Sequence, residues 1–157
     1  MRNYRILQVA AAFAALAIIV PLDSKQAKAD DNAVAEAWIL AWNSLDPNAV
    51  VAIFTEDAFY EDVPSGQKYR GRAELHAFAK AVFDSLPDIH LDLVNSELQG
   101  GHGTIEWIFS GTDQGTGKKF SVRGVSVIDV QGYSISRNSD YFDNATILRQ
   151  TGQLPPE

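Results

Sequence analysis

Cysteine is absent from the 157 residues, methionine occurs once and histidine three times. The first absence excludes disulfides, thiolate metal sites, a cysteine nucleophile and a lipid-modified N-terminal cysteine. The histidines, His76, His90 and His102, show no His-x-His or His-x-x-x-His spacing, so no metal centre is expected. Basic side chains are also in deficit: 13 Lys and Arg stand against 20 Asp and Glu, for a net charge of −7. Nucleic acid and anionic membranes, which need a basic face, are excluded as main partners. No serine sits in a nucleophile elbow. The glycine-rich stretch Gly111–Gly117 lacks the lysine and the helix start of a phosphate loop. It reads instead as a connection between strands.

What is present is ordinary globular material, 46% hydrophobic and 21% charged, long enough for one domain. The first 29 residues stand apart. Arg2 and Arg5 precede an uncharged apolar run from Val9 to Val20, which is too short for the roughly 18–20 residues of a membrane span. The stretch closes on Ala27-Lys28-Ala29, an A-x-A pattern. Residues 1–29 are therefore expected to be a secretory signal peptide cleaved after Ala29. The product would be periplasmic or secreted, without stable membrane insertion. Cleavage removes four basic residues (Arg2, Arg5, Lys25, Lys28) and one acid (Asp23), so the mature chain is still more acidic. An exported protein works away from ATP and reduced nicotinamide pools, and no cofactor is expected.

Residues 30–157 read as a single domain. Val34, Ala37, Trp38, Ala41, Trp42 and Leu45 recur at helical spacing. Asp46-Pro47 reads as an N-cap and first residue of a short second helix. Thr55-Glu56-Asp57 reads as a break, followed by a strand over Ala58–Val63 and a turn at Pro64-Ser65-Gly66. A third helix runs from Arg72 to about Leu86, its buried face formed by Leu75, Phe78, Ala79, Val82, Phe83 and Leu86. Beyond Pro87 the period changes to two. Four strands follow, the last over Ser134–Phe142, joined by glycine-containing turns; Thr151–Glu157 reads as a loose tail. Such segregation predicts an α+β domain: a cone-shaped, curved, mostly antiparallel sheet with three helices packed on its concave face. Three helices on a strongly curved sheet leave a conical interior whose wide end side chains do not fill. On the third of these four strands, Val122, Val125 and Val127 would supply apolar area to a helix-free outer face for a homodimer, according to the face each takes.

The Trp38 helix, the segment FTEDAFYEDVPSG, the helix GRAELHAF and the ending SDYFDNATILRQTG resemble the nuclear transport factor 2-like superfamily. Within it the chain most resembles SnoaL-like polyketide (ester) cyclases and their relatives, limonene-epoxide hydrolase and ketosteroid isomerase. The acid-x-x-acid pattern before Ile147-Leu148-Arg149-Gln150 and Gly152 is similar to the ending of the cyclases, and it implies that Asp140 reaches into a pocket as acid/base. The epoxide hydrolases share the DYFD string and a tyrosine matching Tyr60. This chain has Asp62 where they have asparagine, and Glu106–Phe109 lacks their Arg-x-Asp, so hydrolysis of an epoxide or ester is the weakest reading. The likeness to ketosteroid isomerase implies Asp62 as general base, with Trp38 standing at the position of its oxyanion tyrosine.

Two carboxylates in an apolar cavity cannot both ionise freely. One can then act as base on an acidic C–H while the other donates a proton. Asp140 and Asp62 are thus the candidate catalytic pair, unless they only hydrogen-bond to local turns. Trp38, Trp42, Tyr60, Trp107 and Phe142 either line the pocket or fill the core, and Asn138 is either a pocket amide or a solvated loop residue. Arg123, on the face opposite Ser126, reads as one half of a structural ion pair. The expected function is cyclisation or isomerisation of a small hydrophobic carbonyl compound. Non-catalytic binding of a small hydrophobic ligand is the alternative.

Overall fold

The computed structural model describes residues 24–155, with side chains from Ala33 onward; most of the expected signal peptide, residues 1–23, lies outside them. Helix α1 (Ser24–Asn43) begins before the expected Asn32. It buries Val34, Trp38, Ala41 and Trp42, as the spacing predicts, whereas Leu45 falls beyond the helix, exposed and at a positive φ of 55°. Asp46 caps α2 (Pro47–Ala52), its carboxylate accepting from the Asn48 amide at 2.8 Å. Strands β1 (Phe54–Asp62) and β2 (Gln67–Arg70) precede α3 (Gly71–Ser85). Then come β3 (His90–Gln99), β4 (His102–Asp113), β5 (Lys118–Gln131), β6 (Ser134–Phe142) and a short α4 (Asn144–Gln150).

The six strands form one sheet in the order β2-β1-β6-β5-β4-β3. Every neighbouring pair is antiparallel except β1 with β6, which is parallel. The sheet is mixed and open, with β2 and β3 as edges, rather than a closed barrel. Helix α3 lies against β1 and α1 against β3. Between helices and sheet sits one core that includes Trp38, Val50, Phe54, Leu75, Ile105, Ile128 and Ile135. Along β5 the burial alternates: Phe120, Val122, Gly124, Ser126 and Ile128 face the helices, as the pleat requires. Of the three valines, Val122 therefore belongs to the interior, and only Val125 and Val127 are available to the outer face.

Three expectations need correction. Thr55-Glu56-Asp57 does not end a segment but lies inside β1. The break is in pairing, because Phe54 sits opposite Ile135 and Phe59 opposite Arg137, so the residues between bulge away from β6. Strand β2 was not expected as a strand. The segment after Thr151 is not loose at its start: Thr151 is buried, and the amides of Gly152 and Gln153 donate to Arg149 and Leu148 carbonyls at 3.0 and 2.7 Å. Gly152 has φ +78°, and this is the two-bond helix stop that a left-handed glycine permits.

Candidate functional site

The β1–β6 pairing sets Tyr60 beside Asn138 and Asp62 beside Asp140, and the β5–β6 pairing sets Ser126 opposite Asp140. Because side chains of paired residues share a face, one carboxyl group becomes the meeting point of three strands. Asp140 is 7% exposed. Its Oδ1 accepts from the Ser126 hydroxyl and from the Asn138 amide, each at 2.6 Å, and its Oδ2 accepts from the Tyr60 hydroxyl. Behind Ser126 stands the Trp107 indole, which donates to Ser126 Oγ at 2.9 Å. The indole lies over β5 because residue 124 is glycine: a Cβ there would fall 2.2 Å from the ring.

Burial is the strongest influence on Asp140 and lifts its pKa to about 6; the three donors oppose the rise, and the neighbouring Asp62 adds to it. Burial also raises the Tyr60 phenol well above its ordinary value, reinforced by the Asp140 charge. Tyr60 thus stays a neutral donor. Asp62 is half-buried. Its Oδ2 accepts from the Ser65 hydroxyl at 2.5 Å, while Oδ1 is buried without a hydrogen-bond partner among the described residues. The Nε1 atoms of Trp38 and Trp42 are likewise buried without an acceptor.

Asp140, Asp62, Tyr60 and the three tryptophans border a cavity of about 330 Å³. Its floor holds the buried Trp38, Trp42, Tyr60, Trp107 and Asp140; its more exposed rim holds Asp62, Asp113, Asn144 and Gln153. Trp38 lies 6.1 Å from Trp42 and 6.2 Å from Trp107 between ring centroids, and Trp42 lies 6.1 Å from Tyr60. The site is aromatic, with one buried carboxylate and two more towards the opening.

Of the residues singled out from the sequence, Asp140, Asp62, Tyr60, Trp38, Trp42, Trp107 and Phe142 border this one cavity. Asn138 does not. It is fully buried beside Asp140 and holds that carboxylate rather than a ligand. Arg123 is turned away, paired with Glu106 at 2.7 Å. The sequence reading left out Ser126 as a site residue, although strand pairing places it against Asp140. It also left out Phe78 and Val82 of α3, and Ile147, Leu148 and Gln153 at the C-terminal end. The α3 pair was visible only as part of an apolar helical stripe, which looks the same whether it meets a core or a cavity.

Known proteins share this fold. A SnoaL-like domain matches residues 35–138. A protein of Catenulispora acidiphila with a ketosteroid isomerase-like fold, solved with trimethylamine, is 25% identical; the match covers 78% of this chain and 97% of that one, with a TM-score of 0.74. A Jannaschia protein described as a SnoaL-like polyketide cyclase shares the fold at 14% identity, covering 81% and 94% of the two chains with a TM-score of 0.71. So does an NTF2-like protein of unknown function from Burkholderia pseudomallei, at 17% identity, 78% and 97% coverage and a TM-score of 0.69. No protein of curated function matches the chain. With the family's domain matched over most of its length, and the fold repeated in these structures, the chain belongs to the SnoaL-like family of the nuclear transport factor 2-like fold.

Proposed function

We propose that the chain is a cofactor-free acid–base catalyst of the cyclase or isomerase kind, acting on a small apolar carbonyl compound. The observation that carries this reading is Asp140: a carboxyl group buried among aromatic rings, fixed by three donors and titrating near 6. At neutral pH such a group is ionised but poorly solvated, which suits it to take a proton from carbon beside a carbonyl. The enolate so formed can attack a second carbonyl within the same molecule, closing a ring, or take back a proton at another carbon, moving a double bond. The proton held on Asp140 is the one available for that return; Asp62, on the same side of the sheet at the rim, is a second carboxyl group facing the ligand.

The test needs no knowledge of the natural substrate. A small α-acidic ketone such as 2-tetralone, incubated with the protein in D2O, should take up deuterium faster than in buffer. Asp140→Asn should lower that rate by roughly 10²–10⁴-fold. If wild type and variant exchange the ketone equally, the catalytic reading is wrong. The protein is then a binder, a reading favoured by the fact that both Asp140 oxygens already receive hydrogen bonds. We further propose that the chain is exported, with cleavage after Ala29, and that the mature protein is a homodimer.

A further inference from the structure

Among the described residues, the wall of the cavity contains three carboxylates, Asp62, Asp113 and Asp140, and no lysine, arginine or histidine. The strongest influences on Asp140 are its burial, its three hydrogen-bond donors and the like charge of Asp62. A carboxylate taken out of water without a counter-charge is costly, and hydrogen bonds from Ser126, Asn138 and Tyr60 spread its charge without cancelling it. Lys118, the nearest basic residue by strand register, sits opposite Asp113. Its ammonium lies against Gly152 and outside the cavity wall. The rest of the wall combines tryptophan, tyrosine and phenylalanine rings, whose faces attract cations, with aliphatic side chains and the amides of Asn144 and Gln153.

We propose that the cavity takes an apolar ligand bearing a positively charged nitrogen, a tertiary or quaternary ammonium group, and rejects anions of the same shape. The ammonium supplies the counter-charge that the wall lacks, and its alkyl groups bury against the rings. An anionic head, such as a carboxylate or a sulfonate, would meet three like charges and no donor cation. The inference rests on this cavity being the functional site, but not on the reaction proposed for it, since binding alone is at issue.

Three probes of similar shape separate the possibilities: phenyltrimethylammonium, its neutral isostere tert-butylbenzene, and benzenesulfonate. Each is titrated into the purified protein labelled with ¹⁵N, and the indole cross-peaks of the three tryptophans report occupancy of the cavity rather than of the acidic surface. Phenyltrimethylammonium should bind about tenfold more tightly than tert-butylbenzene or better, shifting the Trp38 and Trp42 signals, and benzenesulfonate should leave them unmoved. Asp140→Asn should remove most of the preference for the cation while tert-butylbenzene binds as well or better. Asp62→Asn at the rim should reduce the preference in the same direction, and it serves where the buried substitution fails to fold. Equal binding of the neutral and cationic probes, or tighter binding of the sulfonate, overturns the proposal while leaving an apolar site intact. Failure of all three to move the indole signals overturns both the proposal and the reading of the cavity as a ligand site.

Discussion

Asp140 pays for its burial in a pH-dependent way. In an unfolded chain its carboxyl group titrates near 3.9, and in the folded protein near 6. Between these values the native state binds more protons than the unfolded one, so stability falls as pH rises from about 4 to about 6 and levels off above. The whole effect is on the order of 3 kcal/mol. Asp140→Asn keeps the shape and does not titrate. Relative to wild type the variant should therefore gain stability between pH 4 and pH 7.5, and denaturant unfolding at the two values gives the difference, in which the other titrations cancel. A gap between the proteins that stays constant over this range would show that Asp140 titrates as an ordinary surface carboxylate. The importance of Asp140 was legible in the sequence through its surroundings in a familiar ending. The role of Asn138 was not, because alternation puts two residues on one face without telling which meets the cavity and which stands behind. Ser126 was hidden for a related reason: a buried serine announces no chemistry until the strand register sets it 2.6 Å from a carboxylate.

At the scale of elements, what could be read was what has a period. The helical stripes of α1 and α3 and the alternation of β5 carry their burial in their residue order. The Gly100-Gly101 turn between β3 and β4 is legible too, since both residues have positive φ (61° and 83°), as a two-residue hairpin turn demands. Strand β2 is Gln-Lys-Tyr-Arg, nearly all exposed. Nothing in its pattern marks a strand; it exists because β1 offers it a partner. The opposite edge is managed by a single amide. Asn43, at the end of α1, donates to the Leu91 carbonyl at 2.9 Å and accepts from the Leu91 amide at 2.8 Å. It thereby completes the outer side of β3 as a further strand would, tying together the two elements that carry Trp38 and Leu91 to the cavity. Asn43→Ala leaves both Leu91 groups without that partner and should cost about 1–3 kcal/mol. Denaturant unfolding measures the loss, and faster hydrogen exchange at the Leu91 amide locates it. A cost below about 0.5 kcal/mol would mean that water replaces the amide without penalty.

For the whole molecule, the helices cover one face of the sheet and leave the other bare. That outer face carries Ile108 (36% exposed) and Tyr141 (43%) together with the half-buried Val125 and Val127. Strand register puts Val125 directly opposite Tyr141, and the Arg123–Glu106 pair crosses the neighbouring strands beside Ile108. An apolar centre with an ion pair beside it is the composition of a modest interface. A two-fold axis through the sheet would set the same patch against itself, giving the self-complementary contact that closed dimers use. A stable pair needs roughly 800 Å² from each partner, which requires most of the β4–β5–β6 outer surface, so a charge at its centre should be decisive. Protein recovered after export should begin at Asp30 by intact mass and should run as a dimer by light scattering at micromolar concentration. Val127→Lys should convert it to a monomer without unfolding it, because residue 127 faces away from the core. A monomeric wild type would overturn the dimer and leave the bare face to solvent. A mass that retains residues 1–29 would overturn the cleavage and make a membrane tether the better reading of that segment.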